Sequence, residues 1–271
     1  MPTLYVVATP IGNLEDISLR ALRILREVSL IAAEDTRRTK KLMTTYEIKT
    51  PVTSYHEHNK LTKLSYILDC LEDGDVALVS DAGMPGISDP GYELIVAAAH
   101  RGIPLVPVPG ASVVITALAV SGLATDRFTY IGFLPHKING RRRLLESVAE
   151  EYGTIVALES PHRLRAALKD ILLVLGDRKV AVSRELTKLH EEVFRGTVSQ
   201  AIEHFAQPRG EFTLVIEGRV EKEKPQLTEA IKKQLYDMRL SGLTAKATIA
   251  QLAEETGISK RELYRAWLKP V

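Results

Sequence analysis

The strongest constraint in this 271-residue chain is an alternation of short apolar runs, rich in β-branched residues, with segments of helical period. Leu4–Thr9, Leu30–Ala33, Asp75–Ser80, Ile103–Val108 and Thr154–Leu158 read as buried strands. Ser18–Glu27, Lys60–Glu72, Pro90–Arg101, Ala111–Val120 and Arg141–Glu150 read as the helices between them, the first with Leu19, Leu22 and Leu25 on one face. Pro161–Leu175, Lys179–Arg184 and Glu211–Glu217 continue the pattern. Strand–helix alternation of this length predicts an α/β fold with a largely parallel sheet, because parallel neighbours need crossover connections. Two breaks divide the chain. At Leu123–Asp126 a fresh strand, Phe128–Phe133, begins, which predicts two α/β lobes, residues 1–122 and 123–220. Val220–Pro225 is charged and ends in Pro, and residues 226–271 beyond it read as a helical domain.

Composition removes several function classes. The single cysteine, Cys70, excludes a disulfide framework and a cysteine-built zinc site. No apolar run approaches the ~20 residues that span a bilayer, and no basic region precedes the first one. The expectation is a cytoplasmic protein that binds no metal and no membrane. A net charge of +2 says little, but its distribution says more. Arg37, Arg38, Lys40 and Lys41 form one basic cluster and Arg141, Arg142 and Arg143 another. Such clusters pair with phosphates, although a solvated helix face explains either one alone.

None of the 17 glycines is separated from another by a single residue, and none precedes a lysine. The dinucleotide fingerprint and the P-loop are therefore both absent. Three predicted strands nevertheless end in turns of one character: Thr9–Asn13, Asp81–Gly91 and Pro109–Ser112. In a parallel sheet such turns lie at the carboxyl ends of the strands, where ligands bind. Glycine permits close backbone approach there and proline stiffens the turn. At eleven residues, Asp81–Gly91 is long for a simple connector. Together the three turns predict a small-molecule cleft.

TPIGNLEDIS at 9–18, AAEDTRRT at 32–39, VSDAGMPGISDPG at 79–91, VPGAS at 108–112, GFLP at 132–135, ESPHR at 159–163 and SRELTK at 183–188 form an ordered set. This set resembles the small-subunit ribosomal RNA methyltransferase I family, cytidine 2′-O-methyltransferases of the tetrapyrrole methylase superfamily. The resemblance implies two α/β lobes that hold S-adenosylmethionine between them, usually in a homodimer, and 16S ribosomal RNA in the small ribosomal subunit as substrate. Carried over by motif, it implies cofactor contacts from Pro10, Ala82, Gly83, Met84, Ile87, Ser112, Val113, Glu159, Glu185 and Thr213. Relatives that methylate tetrapyrroles carry Gly-Asp-Pro where this chain has Gly83-Met84-Pro85, which points to a different acceptor.

A ribose hydroxyl is a weak nucleophile and must lose its proton as it attacks, so a general base is needed. Asp35 is the first candidate, by its match to a strand-end acid of the superfamily, with Glu34 as its competitor and Arg37 to hold a neighbouring phosphate. Asp35 also suits the N-cap of a helix over Thr36–Thr45. Its replacement by Asn is expected to stop turnover and spare cofactor affinity. His56-Glu57-His58 reads as a surface strand, and His162 as structural or substrate-lining.

In the C-terminal part, Thr244–Thr256 is amphipathic, Gly257-Ile258 forms a turn, and Ser259–Glu262 reads as a capping box. The spacing suggests a helix-turn-helix with Leu252, Ile258 and Trp267 in its core. From Leu227 onward eight basic and five acidic side chains leave a local charge of +3. Arg38, Lys40, Arg141, Arg142, Arg143, Lys260, Arg261 and Arg265 are the expected RNA contacts. Two other readings stand beside this one: a tetrapyrrole C-methyltransferase, and a DNA-binding regulator built on the C-terminal helices.

Overall fold

The computed structural model describes residues 2–220 and 226–268, and the chain divides into two compact units, Met1–Arg219 and Val220–Val271. Most of the charged break predicted at Val220–Pro225 lies outside the described residues. The first unit contains two five-stranded sheets. The first sheet uses β1 (Leu4–Val7), β2 (Leu30–Ala33), β3 (Val52–Ser54), β4 (Val76–Val79) and β5 (Leu105–Val108). Their order is β3-β2-β4-β1-β5 and every pair is parallel. The chain connects them through α1 (Leu19–Glu27), α2 (Thr36–Thr45), α3 (Lys60–Asp73) and α4 (Tyr92–His100). β2 and β4 are buried along their whole length, as strands covered on both faces must be.

Helix α1 is capped by Ser18, whose hydroxyl accepts from the Ala21 N–H. It buries Ala21, Leu22, Ile24 and Leu25. Leu19, expected on the same face, is 85% exposed. At 3.6 residues per turn it sits roughly 140° from the middle of the buried stripe.

The second sheet departs from the sequence expectation. It uses β6 (Phe128–Phe133), β7 (Thr154–Glu159), β8 (Lys179–Arg184), β9 (Glu192–Thr197) and β10 (Phe212–Ile216), in the order β6-β7-β10-β8-β9. Only β6 and β7 run parallel, and the remaining three pairs are antiparallel. β9 and the helix after it, Val198–His204, were not anticipated. The β8–β9 connection turns at Glu185 and Thr187 with positive φ (49° and 65°), so no glycine marks it.

Helices α5 (Val113–Ser121), α6 (Ile138–Ser147) and α7 (Pro161–Leu175) pack on the second sheet together with Val198–His204. Buried Ala117 and Leu118 of α5 join Val156, Ala181 and Val215 in one core, so the helix that follows the first sheet packs on the second. Helix α6 buries Leu145 and, against expectation, Arg141. The Arg141 guanidinium donates through Nε to Asp170 Oδ2 at 2.8 Å, and Arg142 Nε donates to Oδ1 at 2.8 Å. Arg141 and Asp170 side chains are each 5% exposed. Arg141 is therefore an internal cross-link between α6 and α7 and is not available to RNA.

The second unit is a three-helix cluster, Glu229–Leu240, Ala245–Thr256 and Lys260–Trp267. Thr228, Thr244 and Ser259 cap the helices through their hydroxyls. Gly257 takes the left-handed conformation (φ 73°) that ends the middle helix. Leu235, Ile249, Leu252, Ile258 and Leu263 form the core, with Trp267 packed at its margin. Among the described residues no helix is long and apolar enough to cross a membrane.

Candidate active site

Strand order brings the three glycine–proline turns together, because β4, β1 and β5 are adjacent. The first two are sewn to each other: Thr9 N–H donates to Gly83 O, and Gly83 N–H returns to Thr9 O, both at 2.9 Å. Thr9 Oγ1 adds a bond to Ser80 O at 3.0 Å. Gly83 holds φ at +81°, which a side chain would strain. Gly91 at +149° lies so close to Leu78 and Gly86 that a Cβ would meet both near 3.1 Å.

These turns wall a cavity of about 420 Å³ whose opposite side comes from the second sheet. That size lies within the roughly 300–1,000 Å³ common for small-molecule sites. Of the predicted cofactor contacts, Ala82, Gly83, Met84, Ile87, Ser112, Val113, Glu159 and Thr213 line it. Pro10 lines a neighbouring cavity with Arg38, Lys41 and Lys188 instead. Glu185 lines neither. Its Oε1 accepts from Glu211 N–H at 2.8 Å and from Lys188 Nζ at 3.0 Å, so its carboxylate fixes a turn. Sequence reasoning missed Ile11, Asp89, Tyr130, Phe133 and Phe212. Asp89 stood inside a loop already marked by its glycines. Tyr130 and Phe133 are aimed by a register shift in β6 at Gly132 (φ +68°), which no local pattern announces.

Glu34 and Asp35 follow β2 and have different environments. Glu34 lines the cavity, and its Oε2 accepts from Asp81 N–H at 3.1 Å. Burial raises its pKa, and the charges of Asp89 and Asp81 add to the effect, against the lowering influence of the Asp81 N–H. Asp35 is the N-cap of α2. Both its oxygens are engaged by Arg37, Oδ1 from Nε at 3.0 Å and Oδ2 from Nη2 at 2.7 Å. Those hydrogen bonds hold its pKa down to about 2. A carboxylate so occupied is a weak proton acceptor, and it does not line the cavity. Asp35 N–H in turn donates to Asp81 Oδ1 at 3.0 Å, so the ends of β2 and β4 lock each other in register. The Arg37 guanidinium, held by Asp35, is 89% exposed.

Arg38 and Lys40 are exposed on α2, Arg143 on α6, and Lys260, Arg261 and Arg265 on the last helix. Arg142 is half-occupied by Asp170, and Arg141 is buried. His56, Glu57 and His58 lie in the turn after β3 and not on a strand. His162 comes within 3.5 Å of the Ser160 hydroxyl. Among the described residues no group of three or more His, Cys, Asp or Glu side chains is placed to hold a metal.

S-adenosylmethionine carries a sulfonium and an ammonium, so a site for it should be acidic and allow close backbone approach. The cavity has Glu34, Asp81, Asp89, Glu159 and Glu211 against Arg38, with apolar cover from Ile11, Val113 and Phe212. Glu159 is the sharpest test. Its residue is 2% exposed and its Oε1 accepts from Ser160 N–H (2.7 Å) and from Arg163 (2.8 Å), while Oε2 is buried with no protein partner. A buried carboxylate oxygen without a donor is costly, and a bound polar ligand would supply one. The residues fit the cofactor. Glu159→Gln is expected to weaken donor binding about tenfold or more by calorimetry, with the fold retained. Unchanged affinity would remove Glu159 from the site.

Comparison with known proteins agrees with this geometry. Residues 3–202 match the family model of Tetrapyrrole (Corrin/Porphyrin) Methylases. Ribosomal RNA small subunit methyltransferase I of Halalkalibacterium halodurans is 48% identical over 273 residues, covering 98% of this chain and 94% of that protein. The protein of that name from Thermotoga maritima is 53% identical over 222 residues, covering 81% of this chain and 100% of the relative. The crystal structure of uroporphyrin-III-C-methyltransferase from Thermus thermophilus superposes with a TM-score of 0.57 at 20% identity, covering 80% of this chain and 94% of that one. That last likeness concerns fold alone. With the family pattern across most of the first unit and near-half identity along almost its whole length, the chain belongs to the tetrapyrrole methylases and, within them, to the ribosomal RNA small subunit methyltransferase I family.

Proposed function

We propose that this protein methylates the ribose 2′-hydroxyl of a cytidine in small-subunit (16S) ribosomal RNA, using S-adenosylmethionine. It acts in the cytoplasm as a homodimer on the assembled subunit. The observation that carries methyl transfer is the acidic, glycine-walled cavity with the unpartnered Glu159 oxygen. RNA as acceptor rests on the names of the relatives and on the Gly83-Met84-Pro85 loop. When bound, the cofactor supplies an electrophilic methyl group on a cationic sulfur. The loops at Ala82–Met84 and Ser112–Val113, with Thr213 and Glu159, hold and orient it. Alignment of that kind contributes several kcal/mol, up to roughly 7–11. Glu34 accepts the proton at ribose O2′. Asp35 caps α2 and presents Arg37 to a phosphate beside the target.

In this reading residues 1–122 and 123–220 enclose the donor, and 226–271 form the RNA clamp through Lys260, Arg261 and Arg265. The Thermotoga relative is matched along its whole length by 81% of this chain, so it is shorter by about the length of the second unit. Truncation after Arg219 should leave donor affinity within about twofold and weaken subunit binding tenfold or more, with a shallower salt dependence. Equal subunit affinity would reduce the clamp to a packing element.

The direct test is transfer of radiolabelled methyl to purified small subunits, with nuclease mapping. Label on one cytidine ribose is the expected result. Labelling of a tetrapyrrole with none on subunits or free ribosomal RNA would replace the acceptor.

A further inference from the structure

Beside the donor cavity lies a second one, of about 580 Å³. Glu34, Ser88 and Asp89 line both, so the two share a wall. From this juxtaposition we infer that the second cavity is the pocket for the target base, and that Asp89 selects a base bearing an exocyclic amino group. The inference rests on the reading of the protein as a ribose methyltransferase and names where its acceptor sits.

The walls suit a flat, neutral ring. Tyr92 lines the cavity and is 67% exposed. His58 lines it too, its ring edge-on to that of His56 at 6.0 Å. Open aromatic faces of this kind stack unpaired bases, and sequence-specific RNA recognition works on bases splayed out of their helix. The charges suit neither a phosphate nor a polycarboxylate. Glu57 and Glu93 line the pocket, and both are bound to Lys60, Glu57 at 2.8 Å. The Lys60 ammonium is thereby neutralised, which leaves Glu34 and Asp89 as the carboxylates at the shared wall. Phosphates fit better at the other hollow that adjoins the donor cavity, which Arg38 and Lys41 line.

A carboxylate accepts from the N4 amino group of cytosine. Uracil presents a carbonyl oxygen at that position, which a carboxylate repels, so the same side chain attracts one base and rejects the other. Glu34 cannot serve this purpose as well, because one of its oxygens is held by the Asp81 N–H and it takes the ribose proton in the proposed reaction. With the base against Tyr92 and Asp89, the attached ribose lies at the wall that Glu34 shares with the donor.

The test uses small subunits reconstituted with a photoreactive thiopyrimidine at the mapped position, irradiated with cofactor-free protein. Crosslinks are expected in residues 56–58 or 88–92. Tyr92→Ala should lower crosslink yield and raise the KM for subunits about tenfold or more, and Tyr92→Phe should restore both. Asp89→Asn should cut the preference for cytidine over uridine at that position about tenfold, because an amide can donate to the uracil oxygen. Donor affinity, measured separately, should stay within about twofold in the two Tyr92 variants, because Tyr92 lines the second cavity and not the donor cavity. Crosslinks confined to residues 9–14 or 38–42, or Tyr92→Ala and Asp89→Asn proteins that match wild type in yield, KM and base preference, would overturn the assignment while leaving the methyltransferase intact. Wild-type protein that neither crosslinks to subunits nor methylates them would instead remove the functional reading, and the pocket with it.

Discussion

Glu34→Gln should lower turnover on small subunits by about 10²–10⁴-fold, the usual contribution of a positioned general base, and leave donor affinity within about twofold. Glutamine keeps an oxygen to accept the Asp81 N–H, so the β2–β4 lock survives and the loss reports proton transfer. Two facts favour Glu34 over its neighbour. It lines the donor cavity, and burial lifts its pKa, which makes the carboxylate a better proton acceptor. Asp35, held near a pKa of about 2 by the Arg37 fork, is nearly inert as a base. The pH dependence has a definite sign. Glu34 acts as a base only when ionised, so kcat/KM should fall as pH drops through its raised pKa, on an acid limb shifted upward from that of an ordinary glutamate. Asp35→Asn keeps a residue suited to capping and loses the Arg37 fork, so a higher KM with kcat largely retained is expected. The reverse pattern, normal turnover in Glu34→Gln and none in Asp35→Asn, would return the role to Asp35.

Much of the fold is legible in the sequence because local rules fix it, and much of the site because motifs carry it. Strand β2, helix α7 and strand β8 lie at the predicted residues, and eight of the ten cofactor contacts implied by the family resemblance meet around one cavity. Glycine and proline spacing marks the turns, and the parallel first sheet puts such turns at one edge. What escapes is decided by partners distant in sequence. The antiparallel pairing of β10 with β7 and β8 depends on strand order, which periodicity does not encode. The turn at Glu185 and Thr187 lacks glycine, so β9 had no boundary signal. At Glu34-Asp35 the motif marks the pair, but which carboxylate faces the cavity is settled by the fork from Arg37 and the lock with Asp81. Arg141 failed for the same reason, since only Asp170, 29 residues away, makes its burial intelligible.

That buried pair gives the largest expected effect on stability. Asp170→Ala removes the acceptor of Arg141 and Arg142 and leaves a guanidinium 5% exposed and unpaired apart from long bonds to Pro135 O and His136 O. Breaking one side of a buried ion pair costs about 3–5 kcal/mol, against a total of roughly 5–15 kcal/mol for a typical domain. The cost should appear in urea as a lower midpoint with an unchanged slope. Burial pushes the Asp170 carboxyl up, but hydrogen bonds and charge from Arg142 and Arg141 outweigh it and hold the pKa below its ordinary value. Its stabilising contribution is therefore present above the unfolded carboxyl's pKa of about 3.9 and lost as pH falls through the lower folded value. Replacing both partners, Arg141→Met with Asp170→Leu, should recover most of the stability, because apolar packing substitutes for a buried pair at little net cost. The consequence reaches the active site, since α7 begins at Pro161, directly after Glu159 and Ser160 of the cavity wall. Loosening α6 from α7 should thus weaken donor binding in Asp170→Ala, and the double replacement should restore it. Arg141→Ala separates this account from a phosphate contact: it should lose stability and keep the salt dependence of subunit binding. A protein of unchanged stability with a shallower salt dependence would put Arg141 back on the RNA.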